Sequence, residues 1–188
     1  MDRYLEIRLL PDPEFPPATL LNALFAKLHR GLVAHGAGDI GVSFPEAGNG
    51  RHTLGQRLRL HGSAAALEQL MQLNWLQGMR DHVEVGEHRA TPKDAAHRVV
   101  RRIQAKSNPE RLRRRLLKRT PGMDAQTAAQ RIPDSAAEQL NLPFIALASS
   151  SSRQRFPLFI EHGPLQKEAS PGPFNAYGLS PTSTIPWF

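Results

Sequence analysis

The stretch A-T-L-L-N-A-L-F-A-K-L-H-R-G-L-V-A at residues 18–34 decides the fold of the first half of the chain. Its apolar residues recur every three or four positions, which is typical of a helix with one buried face. They are Leu21, Leu24, Phe25, Leu28 and Leu32. Segments rich in strand-forming residues lie on either side, at 4–9 and 40–44. The stretch is therefore predicted to be a helix that connects two strands.

The same kinds of element repeat as far as residue 92. Residues 57–61 alternate as a strand does, residues 64–79 have helical spacing, and residues 83–87 alternate again. The predicted order, β-α-β-β-α-β, is ferredoxin-like. We therefore predict an α+β protein whose N-terminal ferredoxin-like βαββαβ domain spans residues 1–92. The T-P-K-D segment at residues 91–94 is the predicted boundary.

Residues 93–188 show a less regular pattern and are predicted to form a smaller, irregular α+β domain. The predicted elements are an extended basic segment at 97–106, helices at 107–119 and 124–131, and strands at 144–147 and 156–160. A run of four serines, 149–152, separates the two strands. The tail from Gly163 is rich in Pro, Gly and Ser but ends in Ile185, Trp187 and Phe188. These apolar residues predict that the tail is anchored to the protein.

The predicted helix at 107–119 reads S-N-P-E-R-L-R-R-R-L-L-K-R. Ser107 and Glu110 have the spacing of a capping box, and Pro109 is tolerated in a first helical turn. At about 100° per residue, five cations fall within an arc of roughly 140°, and three leucines fall on the other side. The cations are Arg111, Arg114, Arg115, Lys118 and Arg119, and the leucines are Leu112, Leu116 and Leu117. The helix is predicted to pack by its leucines and to expose its cations.

Positive charge is concentrated around this helix. Residues 93–119 contain eleven Lys and Arg against two acids, a net charge of +9, whereas the whole chain has +7 and the remainder therefore −2. Such a local excess predicts a polyanionic partner, and nucleic acid fits best. An anionic membrane fits less well, because helices that lie on membranes usually carry Trp, Phe or several bulky apolar residues.

Composition excludes several classes of protein. The chain has no cysteine, which excludes a disulfide scaffold, a cysteine-ligated zinc site and thiol catalysis. It has no apolar segment suited to a signal peptide or to a membrane span. A soluble, cytoplasmic protein is therefore expected.

Few kinds of catalytic chemistry are indicated by the sequence. The third predicted strand lacks the aromatic residues of an RNA recognition motif, and Walker loops and paired metal-binding acids are absent. Cleavage of RNA without a metal remains open, because RNA carries its own 2′-hydroxyl nucleophile and a histidine can accept its proton. His29 is a candidate, although its position alone favours an ordinary histidine at the edge of the apolar face. The serine run could be a plain loop, and Tyr177 in N-A-Y-G could serve only packing.

Several segments together resemble one known family. They are M-D-R-Y-L-E-I-R-L-L-P-D-P-E-F-P-P at the start, then R-I-Q-A-K-S-N-P-E-R-L-R-R-R-L, R-I-P-D, L-P-F, H-G-P-L-Q, Y-G-L-S and the terminal P-W-F. Along essentially its whole length the chain resembles the CRISPR-associated precursor-RNA endoribonuclease of type I-F systems. The resemblance implies a ferredoxin-like domain followed by a domain with an arginine-rich helix. It also implies cleavage of a CRISPR repeat hairpin at the 3′ base of its stem, without metal or cofactor, leaving a 2′,3′-cyclic phosphate. The enzyme would stay on the product as a monomer on RNA, with other subunits of the crRNA-guided surveillance complex as partners.

The resemblance also assigns residues. It implies that His29 and Tyr177 are catalytic, together with an S-x-S pair that is either Ser149 with Ser151 or Ser150 with Ser152; spacing favours the first. It implies that Arg102 and Gln104 read bases at the foot of the stem and that Phe156 stacks on the terminal base pair. It also implies RNA contacts from the helix cations, which are Arg114, Arg115, Lys118 and Arg119. Arg111 joins this set because it shares their arc. The chain departs from the family pattern at Lys118, an arginine there, and at Thr120, a histidine there.

Two other interpretations remain open. A non-catalytic module that binds RNA hairpins would use the same helix, and a DNA-binding regulator would place it in a major groove.

For the extended basic segment at 97–106, the period of two puts Arg102 and Gln104 on one side and Val99 and Ile103 on the other. The side with Val99 and Ile103 is predicted to pack inward.

Overall fold

The computed structural model describes residues 1–48, 53–104, 109–134, 140–148 and 154–188. By their contacts, the residues form two compact units. The first comprises Met1–Arg102 and Leu142–Phe188, and the second comprises Ile103–Asn141. The chain thus returns to the first unit after the second, whereas the sequence pattern predicted one boundary near residue 92.

The first sheet is built by the N-terminal part of the first unit. Its elements are β1 (Arg3–Leu9), α1 (Pro17–His35), β2 (Gly41–Ser43), β3 (Arg57–Gly62), α2 (Ala64–Gln72), β4 (Val83–Val85) and the short β5 (Arg89–Ala90). The strand order is β2-β3-β1-β4, with antiparallel pairing throughout, and β5 also pairs with β1. This order and connectivity match the predicted β-α-β-β-α-β pattern, and the α+β class is confirmed.

The core of this sheet follows from simple periodicities. In β1, Leu5, Ile7 and Leu9 are buried while the residues between them are more exposed, as the period of two requires. α1 buries the apolar face that the sequence predicted. Pro17 stands in the first turn of the helix, and Gly36, with a φ of 71°, ends it in the left-handed conformation.

α2 is shorter than predicted. Helical spacing predicted a helix over 64–79, but α2 ends at Gln72. Asn74 has a φ of 49°, which no right-handed helix accommodates, and turns follow as far as a short 3₁₀ helix at Arg80–His82. Trp75 and Leu76 are nevertheless buried. Their apolar character reflects a buried turn, which a helical spacing rule cannot distinguish from a helix.

A second sheet completes the first unit. It contains β6 (Ala96–Ile103), β7 (Phe144–Ala148), β8 (Arg155–His162) and β9 (Thr184–Trp187), in the order β7-β8-β6-β9. The predicted strands at 144–147 and 156–160 are confirmed. The tail is anchored as predicted, because β9 pairs with β6 and Ile185 is completely buried.

The inward face of β6 is the opposite of the one predicted. Val100 is the buried residue of the strand, and Arg98 and Arg102 lie half-buried on its side. On the side predicted to pack inward, Val99 and Ile103 are also half-buried, but Arg101 between them is exposed. The reason is aromatic packing. The guanidinium carbon of Arg98 lies 4.3 Å from the centroid of the Trp187 ring, and that of Arg102 lies 5.9 Å from the centroid of the Phe156 ring. Arginine can cover an aromatic ring with its planar end group, so a basic residue does not mark the exposed face.

The second unit contains two helices, α3 (Pro109–Arg119) and α4 (Ala125–Arg131). The side chain of Asp124 caps α4 by accepting a 2.6 Å hydrogen bond from Thr127 N. The three leucines of α3 are half-buried and its five predicted outward cations are exposed, which confirms the predicted faces. Ser107, the predicted cap, lies outside the described residues. None of the described helices is both long enough and apolar enough to span a membrane.

Candidate functional site

His29 is held in one tautomer by a main-chain carbonyl. It stands one turn after the buried Phe25 on α1 and is itself half-buried. Its Nδ1 lies 2.7 Å from the carbonyl oxygen of Ala176. A carbonyl only accepts hydrogen bonds, so Nδ1 carries the hydrogen. In the neutral ring Nε2 is then the unprotonated nitrogen, and it is the one able to accept a proton.

Two aromatic rings fix the plane of the His29 imidazole. The ring of Tyr177 stacks on it with a centroid distance of 4.3 Å and an interplanar angle of 16°. The ring of Phe25 is also nearly parallel to that of Tyr177, with a centroid distance of 6.4 Å and an angle of 6°. Phe25 is completely buried, so the series of three rings is supported by the core.

A tight loop at residues 175–179 brings Ala176 and Tyr177 to the histidine. Asn175 Oδ1 accepts hydrogen bonds from Tyr177 N at 2.8 Å and from Leu179 N at 3.2 Å. Gly178 has a φ of 69°, and its oxygen accepts a 2.8 Å hydrogen bond from Val42 N. A Cβ on Gly178 would lie 2.2 Å from Val42 Cγ2, so only glycine fits.

Asn175 and Gly178 therefore position Ala176 and Tyr177 against the histidine. Of the N-A-Y-G segment, only the tyrosine was predicted from the sequence to belong to the site. The signal was present, because Asn and Gly are the residues that favour tight turns through a side-chain hydrogen bond and a positive φ.

His29 and Tyr177 line an open cleft of about 440 Å³ between α1 and the β7–β8 hairpin. Its lining residues are Ala26, His29, Arg30, Val33, Leu147, Ala148, Phe156 and Tyr177. The structure thus brings together three of the predicted site residues, namely His29, Tyr177 and Phe156. Arg102 adjoins them through its contact with the Phe156 ring.

Other predicted site residues are not placed in this cleft. Ser149 and Ser151, and the alternative pair Ser150 and Ser152, lie outside the described residues. Ala148, which precedes Ser149 in the sequence, lines the cleft. Gln104 is exposed just after the end of β6.

The exposed cations of α3 form a separate surface in the second unit. This arginine-helix surface consists of Arg111, Arg114, Arg115, Lys118 and Arg119. Arg114 pairs with Glu110 at 3.1 Å, and both side chains are exposed, so this pair contributes only a few tenths of a kcal/mol. Among the residues that the structure describes, Arg115, Lys118 and Arg119 form no ion pair. The surface therefore keeps a strong positive charge.

Arg113 is a cation of a different kind. It is half-buried, its Nε donates to the Ile132 oxygen at 2.7 Å, and its Nη2 lies 2.7 Å from Asp134 Oδ1. It thereby ties α3 to the residues after α4. Its charge belongs to the local positive excess of the sequence, but the spacing of residues predicts no contact for it. The structure shows that it stabilises the second unit from within.

Burial lowers the pKa of two histidines outside the cleft. Burial, with a smaller effect of the Arg59 charge, lowers the pKa of His61 to about 3, and its Nε2 lies 2.8 Å from Ser43 Oγ. Burial, followed by the charge of Arg98, lowers the pKa of His162 to about 4. Both are neutral near pH 7. His29 is the one histidine among the described residues that lines the cleft, and within the same ranges no group of three His, Asp or Glu side chains could hold a metal ion.

The resemblance predicted a ferredoxin-like domain and an arginine-rich helix, and the structure has a sheet with the ferredoxin-like strand order and such a helix. The second sheet and the cleft that His29 and Tyr177 line were not predicted. Residues 4–188 match the model of the family described as CRISPR-associated protein (Cas_Csy4). The chain belongs to this family.

Two relatives match over the full length of both chains. The "CRISPR-associated endonuclease Cas6/Csy4" of Pseudomonas aeruginosa (strain UCBPP-PA14) is 54% identical over 188 residues, covering 100% of each chain. The "CRISPR-associated endonuclease Cas6/Csy4" of Escherichia coli (strain UTI89 / UPEC) is 50% identical over 188 residues, again covering 100% of each.

Proposed function

We propose that the protein is an endoribonuclease that binds the hairpin of a CRISPR repeat and cuts precursor crRNA at the 3′ base of the stem. The observation that carries the proposal is the fixed His29 in an open cleft, with Nδ1 engaged by Ala176 and Nε2 left to act as a base. The names of the full-length relatives, both CRISPR-associated endonucleases, support it.

The reaction is an attack of the RNA on itself. His29 Nε2 accepts the proton of the 2′-hydroxyl as that oxygen bonds to the adjacent phosphorus. The bond from phosphorus to the 5′-oxygen then breaks, and this oxygen takes a proton from the protonated His29 or from water, so that the products are a 2′,3′-cyclic phosphate and a 5′-hydroxyl. Tyr177 orients the imidazole by stacking, and Ser149, with Ser151, holds the attacking ribose. The nucleophile belongs to the substrate, so no metal or cofactor is required by this scheme.

Binding uses separate residues. The arginine-helix surface contacts phosphates at the end of the hairpin, where the A-form major groove opens. Phe156 stacks on the terminal base pair, Arg102 reads the guanine before the cut, and Gln104 reads the neighbouring adenine, because these side chains match the edges of those bases. The protein remains on the product as a monomer in the cytoplasm, together with other subunits of the type I-F crRNA-guided surveillance complex.

The test is incubation of the protein with repeat-hairpin RNA in excess EDTA. We expect one cut at the 3′ base of the stem and a cyclic phosphate on the upstream product, detected by mass spectrometry. An RNA with a 2′-deoxy nucleotide before the cut should bind and stay intact. Cleavage of the deoxy RNA would require a water nucleophile, loss of cleavage in EDTA would require a metal, and tight binding without cleavage would identify a non-catalytic hairpin-binding module.

A further inference from the structure

A second groove adjoins the candidate cleft on α1. It lies between α1 and the turn after α2, has a volume of about 370 Å³, and is named here the α1–turn groove. Its lining residues are Lys27, Arg30, Gly31, Ala34, Leu73, Asn74, Trp75 and Gln77. Arg30 lines both the groove and the cleft. A chain passing His29 can therefore continue into the groove without leaving the protein surface.

The polar groups of the groove favour an anion. Its charged side chains, Lys27 and Arg30, are both positive. Arg30 is exposed, and among the described residues it forms no ion pair. The Trp75 side chain lines the groove, and the residue is only 8% exposed, so it forms a wall and not a polar contact.

The floor of the groove depends on a glycine. A Cβ on Gly31 would lie 3.1 Å from both Cβ and Cγ of Trp75, so α1 and the turn approach each other more closely than a larger residue would allow. The side chain of Lys27 crosses to the turn and donates to the Gln77 oxygen. An ammonium has three hydrogens, so Lys27 keeps donors for a ligand as well.

We propose that the α1–turn groove binds phosphates of the single-stranded RNA that lies 3′ of the cut. The inference rests on the proposed function. The proposed function puts the foot of the hairpin stem at Phe156 and the scissile phosphate at His29. Arg30 lines both this cleft and the groove, so a strand that continues from the cleft into the groove meets this cation. A donor-rich, positively charged groove that is continuous with the cleft suits a phosphate backbone better than a neutral ligand.

The experiment compares two uncleavable RNAs that carry the same hairpin and a 2′-deoxy nucleotide before the cut. One ends just past the cut, and the other continues for several nucleotides. Affinity is measured over a range of salt concentrations for the wild type and for Arg30→Gln, Lys27→Gln and Arg89→Gln. Arg89 is an exposed arginine on β5, outside the groove, so its variant is a control with the same change of charge.

We expect the wild type to bind the longer RNA more tightly, with a salt slope steeper by about 0.7 for each added phosphate contact. Arg30→Gln should remove about 0.7 of that difference, Lys27→Gln should reduce the affinity gain, and Arg89→Gln should preserve both. If the wild type binds both RNAs with the same affinity and slope, or if the gain survives both groove variants, the inference is overturned while the proposed function stands. If the wild type binds neither RNA, the proposed function fails and the inference fails with it.

Discussion

The candidate cleft and the arginine-helix surface differ in how their side chains are held. In the cleft, a 2.7 Å hydrogen bond and a stacked tyrosine fix His29, and the loop behind them depends on Asn175 and Gly178. On α3, the cations are exposed, and Arg115, Lys118 and Arg119 form no ion pair among the described residues. Proton transfer depends on the position of one atom, whereas attraction to a phosphate backbone depends mainly on charge. The two regions should therefore respond to mutation in different ways.

The largest effect is expected from the cleft. His29→Ala removes the proposed base, so cleavage of the repeat hairpin should slow by at least about 10²-fold. Affinity for the hairpin should change little, because the proposed phosphate contacts lie on α3. Single-turnover cleavage and equilibrium binding are measured side by side, with His88→Ala as a control on an exposed histidine that does not line the cleft. Equal cleavage rates for His29→Ala and the wild type would exclude His29 as the base.

Base discrimination is expected to depend on Arg102. This residue is half-buried, and its guanidinium carbon lies 5.9 Å from the centroid of the Phe156 ring, so it is held less firmly than His29 and more firmly than the cations of α3. A bidentate contact with guanine contributes about 1–3 kcal/mol of discrimination. Exchanging the closing G–C pair for C–G should therefore weaken binding or cleavage by the wild type by about 5- to 150-fold. The Arg102→Ala variant should hardly distinguish the two RNAs. If both proteins discriminate equally, another residue reads this base.

Acid should destabilise the unit that holds the cleft. The pKa values of His61 and His162 are lowered to about 3 and about 4 in the folded protein, against about 6.5 in the unfolded chain. Below pH 6.5 the unfolded chain therefore binds more protons. The free energy of unfolding is largest above that pH and should fall as the pH is lowered towards these folded values, by at most about 1.4 kcal/mol per pH unit for each histidine.

The measurement is urea unfolding followed by tryptophan fluorescence between pH 7 and pH 5, since Trp75 and Trp187 both belong to the first unit. His162→Gln should reduce the slope of stability against pH, whatever its effect on stability at neutral pH. An unchanged slope would show that His162 does not resist protonation. Residues 103–141 contain no histidine, so the second unit should not share this dependence.

The smallest effect is expected from a single cation of α3. Arg115→Ala should weaken binding to any hairpin by a modest factor and reduce the salt slope by about 1, because one phosphate contact is lost. Cleavage at saturating protein should be unchanged. Arg113→Ala serves as the contrasting variant. It removes the contacts to Ile132 and Asp134, so its main effect should be on the stability of the second unit. An unchanged salt slope in Arg115→Ala would exclude Arg115 from the interface.

Patterns within one element were predictable. The face of α3 that exposes its cations follows from the helical angle alone, and the buried face of α1 follows from the spacing of its leucines. The same rule failed after Gln72, because a left-handed Asn74 ends α2 while the apolar residues continue into a buried turn. It also failed on β6, where arginines rather than Val99 and Ile103 share the inward side with Val100.

The sequence by itself determined the order of the elements in the first sheet, the location of the positive charge and the residue types available for chemistry. Periodicity determines these because it records which side of a single element meets the core. Only the tertiary structure decided which nitrogen of His29 is hydrogen-bonded to the main chain, since Ala176 lies 147 positions away in the chain. It likewise decided that Arg98 and Arg102 lie against the rings of Trp187 and Phe156. Contacts between distant segments depend on how elements pack together, and the spacing of residues within an element carries no information about that.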